Sequence, residues 1–431
     1  MKAIRDIISQ LEEGQYDRTL SYIYCRPADQ TGPLRRRIRH VMEGFQETFC
    51  CGQDKEVIVC SAPGRTEIGG NHTDHQRGKV LTGSVDADAL ACAAPNGTQM
   101  IRIFSEGFGM VQADVSSLEP VEEEKNTTLS IVRGIAAWIS KAGYAVSGFD
   151  AYLISDVPGG SGLSSSACFE VLTGTLINQL FCDNSLSMQE IAKIGQYAEN
   201  VYFGKPSGLM DQMGCAVGGI ISIDFSDKDN PDVQKVNFDF SKAGHALCLV
   251  DTGADHADLT AYYASIPQEM RSVAKALGKE VLSETDEQEF YQKIPALRKE
   301  LGDRAVLRAI HYYSDCRRVD QMTRALNEDD FPLFLQLVSA SGQSSYMFLQ
   351  NVTTFKDPKD QPVGVALALA EHCLKGKGAV RVHGGGFGGA IQVFVPLDMV
   401  DEFVKEMDAF LGEGASRVTF IRPVGGCLLA G

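Results

Sequence analysis

Apolar and polar positions recur with two different periods along the chain, which predicts a mixture of helices and strands. Residues 1–50 carry apolar positions at helical spacing, and helices are predicted to dominate again from about 257 to 350. Strands are predicted from Val57 onward and at 79–93, 99–104, 109–114, 150–156, 218–225, 245–251, 379–383, 390–396 and, as the last strand, 417–421. Further helices are predicted at 127–142, from 167 to Leu180, and at 187–203, 363–376 and 398–412. A strict strand–helix–strand repeat is not evident, so the pattern favours the α+β fold class.

The length of the chain predicts two domains. A chain of 431 residues exceeds the size at which a single hydrophobic core usually stops growing. The acidic, proline-containing segment at 227–232 interrupts the pattern of strands and helices and is the predicted boundary. The predicted domains are therefore 1–230, with a helical N-terminal extension, and 231–431.

Charge and cysteine usage narrow the class of protein. A net charge of −16 disfavours nucleic acid or an anionic membrane as a partner. No apolar run has the length of a membrane span, and the charged N-terminus lacks the apolar core of a signal peptide. The twelve cysteines are scattered without a Cys-x-x-Cys pair, which is typical of free thiols in a reducing compartment. We therefore expect a cytoplasmic protein; the sequence does not indicate its oligomeric state.

The loop from Pro158 to Ala167 contains mostly glycine and serine and lies between a predicted strand and a predicted helix. Small residues let the backbone approach a ligand closely, and the N-terminus of the following helix attracts phosphate. The alternative is a flexible turn with a serine cap. The loop is not a Walker A motif, because no Lys-Ser or Lys-Thr follows a suitably spaced glycine.

A second glycine cluster at 384–389 formally matches G-x-G-x-x-G. A dinucleotide site of that type needs a helix after the glycines, whereas 390–395 is predicted to be a strand. Two glycine-rich loops, one in each predicted domain, favour a nucleotide or sugar site at the domain interface.

Six polar side chains are close together in a predicted loop after the first strand. They are Arg65, Glu67, Asn71, His72, Asp74 and His75. Carboxylate, amide and imidazole groups can hydrogen-bond a polyol, and an arginine can stabilise a phosphoryl group in transfer. A metal site at the two histidines and Asp74 and a structural turn are the alternatives. Farther along, Glu199 suits a hard cation such as Mg²⁺, and Asp211 follows a predicted helix, although each is also typical of an ordinary surface or cap residue.

Three blocks, in this order, resemble the galactokinase branch of the GHMP kinases. They are the sugar-site signature at 64–74, the phosphate loop at 162–167 and the glycine motif at 384–389. The segment 208–212 is similar to the one that carries the family's catalytic aspartate, and the resemblance extends over roughly 55–425. It implies a two-domain GHMP kinase fold with the active site between the domains. It also implies phosphoryl transfer from ATP, with Mg²⁺, to the anomeric hydroxyl of galactose.

The resemblance assigns a role to each matching residue. Asp211 matches the catalytic aspartate and Arg65 the arginine beside it, while Ser166 and Glu199 match the Mg²⁺ ligands. The nucleotide is expected at Gly160, Gly162, Leu163, Ser164, Ser165 and Ser166. The sugar is expected at Glu67, Asn71, His72, Asp74 and Tyr263.

The sugar signature departs from the family at three positions. The family usually has Asn in place of Glu67, Glu or Asp in place of Asn71, and Tyr in place of His75. An amide at Asn71 predicts a weaker hold on a sugar hydroxyl and a broader specificity, since bonds to charged groups are stronger. Two alternatives stay open: a kinase for N-acetylgalactosamine, arabinose or galacturonate, and a non-catalytic regulatory protein that binds sugar and ATP.

Overall fold

The protein, seen in a computed structural model that describes residues 1–159, 162–254, 259–354 and 356–431, is built on two β-sheets. The strands are β1 (Lys2–Ala3), β2 (Glu56–Gly69), β3 (Lys79–Pro95), β4 (Met100–Ser105), β5 (Gly109–Asp114), β6 (Phe149–Ser155), β7 (Ile220–Asp224), β8 (Asp232–Lys235), β9 (His245–Asp251), β10 (Ala379–Val382), β11 (Ala390–Pro396), β12 (Ser416–Thr419) and β13 (Cys427–Ala430). The helices are α1 (Ile4–Glu12), α2 (Asp17–Ile23), α3 (Gly32–Phe49), α4 (Thr128–Lys141), α5 (Ser165–Phe181), α6 (Met188–Tyr197), α7 (Met210–Val217), α8 (Thr260–Ala276), α9 (Glu287–Leu301), α10 (Asp303–Asn327), α11 (Phe331–Ser344), α12 (Pro362–Leu374) and α13 (Val400–Leu411).

The first sheet has the order β1-β2-β3-β6-β4-β5, with β13 paired to β2 and β7 paired to β3 and β8. Its pairs are antiparallel except for β4 and β6. Alternate residues of β2 and β3 enter two separate cores. Ile58 and Ala91 pack towards α4 to α7, whereas Val59 and Cys92 pack towards α1 to α3. Because both faces are buried, the two strands are apolar along much of their length.

The N-terminal helices are fixed to this sheet by charge as well as by apolar packing. Arg37 of α3 lies 2.9 Å from the buried carboxylate of Asp88 on β3, and Arg422 approaches the same carboxylate to 3.1 Å. Arg37 also contacts Asp156, just before the phosphate loop, at 3.0 Å. The N-terminal extension therefore packs behind the segment that leads into that loop.

The second sheet has the order β10-β11-β9-β12 and is antiparallel throughout. Helices α12 and α13 share a core with it, and α8 to α11 form a helical layer that α10 links to β3. The sheets and helices form the mixed, two-domain α+β architecture that the sequence predicts. Within the described residues, no helix is long and apolar enough to cross a membrane.

Most predicted elements are present with similar bounds, but the end of the chain differs. The strand β12 is not the last one, because β13 follows and pairs with β2 of the first sheet. Strand β8, just beyond the predicted boundary at residue 230, pairs with β7 and so also belongs to the first sheet. The domain bounds of 1–230 and 231–431 stay a prediction.

Candidate active site

The polar segment begins inside β2 rather than in a loop after it. Strand β2 continues through Arg65 and Glu67 to Gly69, and its register with β3 shifts between Pro63 and Arg65 and again between Glu67 and Gly69. Such bulges tolerate glycine and redirect side chains. The prediction of a loop is therefore wrong for the part of the segment that precedes residue 70.

Arg65 and Asp211 form an ion pair in which the arginine is buried. The Arg65 Nε and Nη2 atoms lie 2.9 and 2.8 Å from Oδ1 of Asp211, which stands in the first turn of α7. Arg65 Nη1 also donates to the Gly162 carbonyl, and the Ser164 hydroxyl donates to Oδ2 of Asp211. The structure thus joins the two predicted catalytic residues to the phosphate loop.

The positive charge of Arg65 keeps Asp211 ionised. Burial raises the pKa of this carboxyl group, but the Arg65 guanidinium and the Ser164 hydroxyl outweigh that effect and hold it below its ordinary value. The Asp211 side chain is nevertheless 36% exposed, so its carboxylate can meet a ligand. It can orient a hydroxyl group or accept its proton at neutral pH.

The phosphate loop leads directly into α5. Gly162 and Ser164 have φ angles of 75° and 56°, a left-handed conformation that glycine adopts easily. Helix α5 begins at Ser165, and the Leu163 carbonyl accepts a hydrogen bond from the Arg65 N–H at 3.1 Å. Leu163 is buried, so its side chain belongs to the core. Gly160, also predicted to bind the nucleotide, lies outside the described residues.

A cavity of about 730 Å³ opens beside this loop. Ser165 and Ser166 line it at the start of α5, with Glu170 and Glu199 farther in. Its apolar side includes Ile103, Phe108, Val111, Ile131, Leu153 and Phe169. The cavity therefore combines a helix N-terminus and its serines with a largely apolar lining, which suits phosphate and a flat aromatic base.

Two buried carboxylates meet at the polar side of this cavity. The Gln212 amide donates to Oε2 of Glu170 at 2.9 Å and to Oε2 of Glu199 at 3.1 Å. Burial and the charge of Glu199 raise the pKa of Glu170 to about 8, and its buried Oε1 has no hydrogen-bond partner. Hard oxygen donors and an unpartnered carboxylate atom fit a cation such as Mg²⁺. Among the described residues no three His, Cys, Asp or Glu side chains form a metal site alone, so phosphate oxygens would have to complete the coordination.

Asp74, one of the predicted sugar residues, interacts electrostatically with both members of the catalytic pair. Burial and the charge of Asp211 raise the pKa of Asp74 to about 6. A side chain at Gly208 would overlap the Asp74 carboxylate, so the glycine lets this segment approach closely. Asp74 can therefore act as an acceptor beside Asp211.

Glu67 and Asn71 are bonded to each other, and Asn71 is also bonded to the second glycine motif. Both are buried, and the Asn71 amide donates to Glu67 Oε1 at 2.9 Å and to the Gly384 carbonyl at 2.7 Å. Arg381 donates to the same Glu67 oxygen at 2.8 Å, and Asn351 donates to Asn71 Oδ1 at 2.7 Å. In the structure both side chains are thus bonded within the protein, and the direct sugar contacts predicted for them stay a prediction.

The glycine motif accepts hydrogen bonds from the other predicted sugar residues. His72 Nε2 lies 2.8 Å from the Gly385 carbonyl, and the Tyr263 hydroxyl donates to the Gly386 carbonyl at 2.9 Å. Because His72 Nε2 donates, its Nδ1 accepts from His75 Nε2 at 3.1 Å. The motif at 384–389 thus links the second sheet to the sugar signature.

Several residues of the site were missed by the sequence analysis. His383 Nε2 lies 3.0 Å from the Thr66 hydroxyl, and Gln392 donates to that hydroxyl at 2.6 Å. These contacts fix β2 beside Arg65, but they join residues over 300 positions apart, which no local pattern reveals. Glu170 could have been found, since it follows Ser166 by four positions and so lies on the same helix face.

Comparison with known proteins agrees with this geometry. The galactokinase galactose-binding signature matches residues 43–95, and the GHMP kinases N terminal domain matches residues 130–219. The chain is 30% identical over 382 residues to a galactokinase of Streptomyces coelicolor, covering 87% of this chain and 93% of that protein. It is 28% identical over 362 residues to a galactokinase of Actinobacillus pleuropneumoniae, covering 84% and 90%.

Solved structures give the same result. Lactococcus lactis galactokinase complexed with galactose superposes with a TM-score of 0.75 at 25% identity, covering 91% of this chain and 99% of that one. L. major mevalonate kinase superposes with a TM-score of 0.57 at 14% identity, covering 86% and 97%, and so shares the fold. On the extent and identity of these matches, the chain belongs to the galactokinase family of GHMP kinases.

Proposed function

We propose that the protein transfers the γ-phosphoryl group of MgATP to the anomeric hydroxyl of galactose, giving galactose 1-phosphate and ADP. The observation that carries this proposal is the Arg65–Asp211 pair, whose arginine also contacts the phosphate loop at Gly162. The pair places a carboxylate that can orient the sugar hydroxyl next to a cation that can stabilise the phosphoryl group. The family membership and the galactose bound to the Lactococcus lactis relative support the choice of sugar.

In this mechanism the protein mainly positions and stabilises charge. The backbone of 162–166 and the N-terminus of α5 hold the nucleotide phosphates, and the apolar side of the cavity takes the base. Asp211, ionised and bonded to Arg65, orients the anomeric hydroxyl and accepts its proton. Arg65 stabilises charge on the transferring group.

Mg²⁺ would be held by the Ser166 hydroxyl and the Glu199 carboxylate, and it would neutralise charge on the phosphates. Glu170 lies on the same side of the cavity, with one carboxylate oxygen unpartnered. Gln212 bonds both carboxylates and so fixes their separation before a cation enters.

On the sugar side, we assign hydroxyl contacts to Asp74, His72 and Tyr263. For Glu67 and Asn71 we infer an indirect role, since both are bonded to the segment that holds the sugar signature in place. The cytoplasmic location and the division into domains at residue 230 stay predictions.

A coupled ADP assay against a panel of free sugars tests the proposal. We expect release of ADP with galactose and a product phosphorylated at the anomeric position. N-acetylgalactosamine, arabinose and galacturonate complete the panel and test the alternative substrates. Binding of ATP and sugar without turnover would identify a regulatory protein instead.

The raised pKa of Asp74 gives a testable pH dependence. Ionised Asp74 accepts hydrogen bonds from the sugar more strongly than the protonated acid does, so kcat/KM for the sugar should fall as the pH drops below about 6. In Asp74→Asn, kcat/KM should be lower at every pH and should lose this inflection. An unchanged inflection in the variant would assign the titration to another group.

Ser166→Ala and Glu199→Gln should each raise the Mg²⁺ concentration required for half-maximal activity. Each removes one proposed oxygen ligand, and since losing a group that merely orients a metal ligand costs about 10–100-fold in metal affinity, we expect an effect of roughly 10-fold or more. Activity titrated against Mg²⁺ at saturating ATP measures the effect. Ser155→Ala, a change of another cavity-lining serine, is the matched control. Equal Mg²⁺ dependence in all three variants would exclude the proposed ligands.

A further inference from the structure

Among its described lining residues, the large cavity has one cationic side chain, Lys205. The same lining contains the acidic residues Glu170 and Glu199. The loop from Pro158 to Ser166 carries no charged side chain. A nucleotide with a phosphate chain is strongly anionic, so the Glu199 carboxylate in this lining would repel it unless a cation lay nearby. Lys205 is thus the cation that is available from the cavity wall.

Lys205 is held in place by Glu199. The residues Ala198–Phe203 form a π-helical turn, a feature common at functional sites, and the chain then folds back. The N–H groups of Gly204 and Lys205 donate to the Glu199 carbonyl at 3.0 and 3.1 Å, and Nζ of Lys205 donates to the Glu199 carboxylate at 2.8 Å. The ammonium group therefore lies beside the carboxylate that we assign to Mg²⁺.

The side chain of Lys205 can leave this carboxylate. It is 58% exposed, whereas the Glu199 side chain is 5% exposed. Burial lowers the pKa of Lys205, but its bond to Glu199 and the charges of Glu199, Asp211 and Glu170 raise it overall, so the group is charged at neutral pH. A flexible ammonium with three donors binds phosphate oxygens well.

Resting on the kinase function proposed above, we propose that Lys205 binds the terminal phosphates of the nucleotide. When the phosphate chain enters, the ammonium exchanges the Glu199 carboxylate for a phosphate oxygen. That exchange frees a Glu199 oxygen for the cation. Lys205 accordingly gives the protein nucleotide affinity that does not depend on Mg²⁺, and the metal adds to it.

Isothermal titration with the non-hydrolysable analogue β,γ-imido-ATP, in EDTA and in Mg²⁺, tests this role. In EDTA we expect Lys205→Met to raise the Kd about 10-fold or more, because the variant loses a hydrogen bond between charged groups. In Mg²⁺ the loss should be smaller, because the metal neutralises part of the phosphate charge. Lys205→Arg should retain most of the affinity. Lys193→Met is the matched control, since the Lys193 ammonium binds the Asp229 carbonyl and does not line the cavity.

Adenosine has no phosphate, so its binding distinguishes a direct contact of Lys205 with the phosphates from a purely structural role of Lys205. Lys205→Met should bind adenosine with the wild-type Kd. The proposal is overturned if Lys205→Met binds β,γ-imido-ATP in EDTA as tightly as wild type does. It is also overturned if the variant loses as much affinity for adenosine as for β,γ-imido-ATP, and Lys205 is then a structural partner of Glu199. A wild-type protein that binds neither probe would instead contradict the kinase function itself.

Discussion

Asp211→Asn lowers kcat by about 10²–10⁴-fold, the usual cost of losing a positioned general base. The amide keeps the size of the side chain and can still accept a hydrogen bond from Arg65, but it carries no charge and cannot take the proton of the sugar hydroxyl. Nucleotide affinity should stay close to the wild-type value, because the cavity that holds the phosphates is lined by other residues. Single-turnover measurements at saturating ATP and sugar give the rate of the chemical step.

Two further variants test whether the loss of kcat is specific to the Asp211 carboxylate. Asp229→Asn, which removes an exposed carboxylate that does not line the cavity, should leave kcat unchanged. Ser164→Ala removes only the hydroxyl that donates to Asp211 Oδ2, so its effect on kcat should be smaller than that of Asp211→Asn. If Asp211→Asn retains a kcat near that of wild type, Asp211 neither accepts the proton nor orients the hydroxyl.

The elements that the sequence predicts well are those whose signal is local. The apolar period of 400–411 gives α13, and the continuous apolar run at 246–250 gives β9, because each signal lies within one element. Strand β2 was predicted to end too early, since Pro63, Gly64 and Gly69 are typical turn residues. The structure accommodates them as bulges against the long partner β3, which is a tertiary effect.

The site was predictable where its parts are contiguous. The phosphate loop and the start of α5 follow from a run of glycine and serine, and their function follows from the geometry of a helix N-terminus. The partners of Glu67 and Asn71 were not predictable, because Arg381 and Gly384 lie more than 300 positions away. The sequence alone does not distinguish a buried carboxylate that is paired with a cation far along the chain from a carboxylate that binds a ligand.

The two departures from the family signature at Glu67 and Asn71 are one paired change. The family usually has the amide at the first position and the carboxylate at the second, and here the two are exchanged. The structure shows the side chains bonded to each other at 2.9 Å. Arg381, fully buried, has its Nε and Nη1 atoms unpartnered and bonds only through Nη2 to Glu67 within the described chain. One carboxylate therefore pairs with the Arg381 charge, and the neighbouring amide donates to that same carboxylate.

Single reversals at this pair should destabilise the protein, and the double reversal should restore much of the loss. Glu67→Asn leaves the Arg381 charge buried without a carboxylate, which typically lowers the free energy of unfolding by about 3–5 kcal/mol. Asn71→Glu buries a second carboxylate beside Glu67 and removes the hydrogen bonds that Asn71 donates to Glu67 and Gly384, so we expect a loss of about the same size. The double variant again has one amide and one carboxylate, so its loss should be smaller than the sum. Urea denaturation of the four proteins gives the coupling free energy, and independent sites would add to within about 0.5 kcal/mol. Additive losses would show that the exchange is not a compensated pair and that the signature diverged at each position separately.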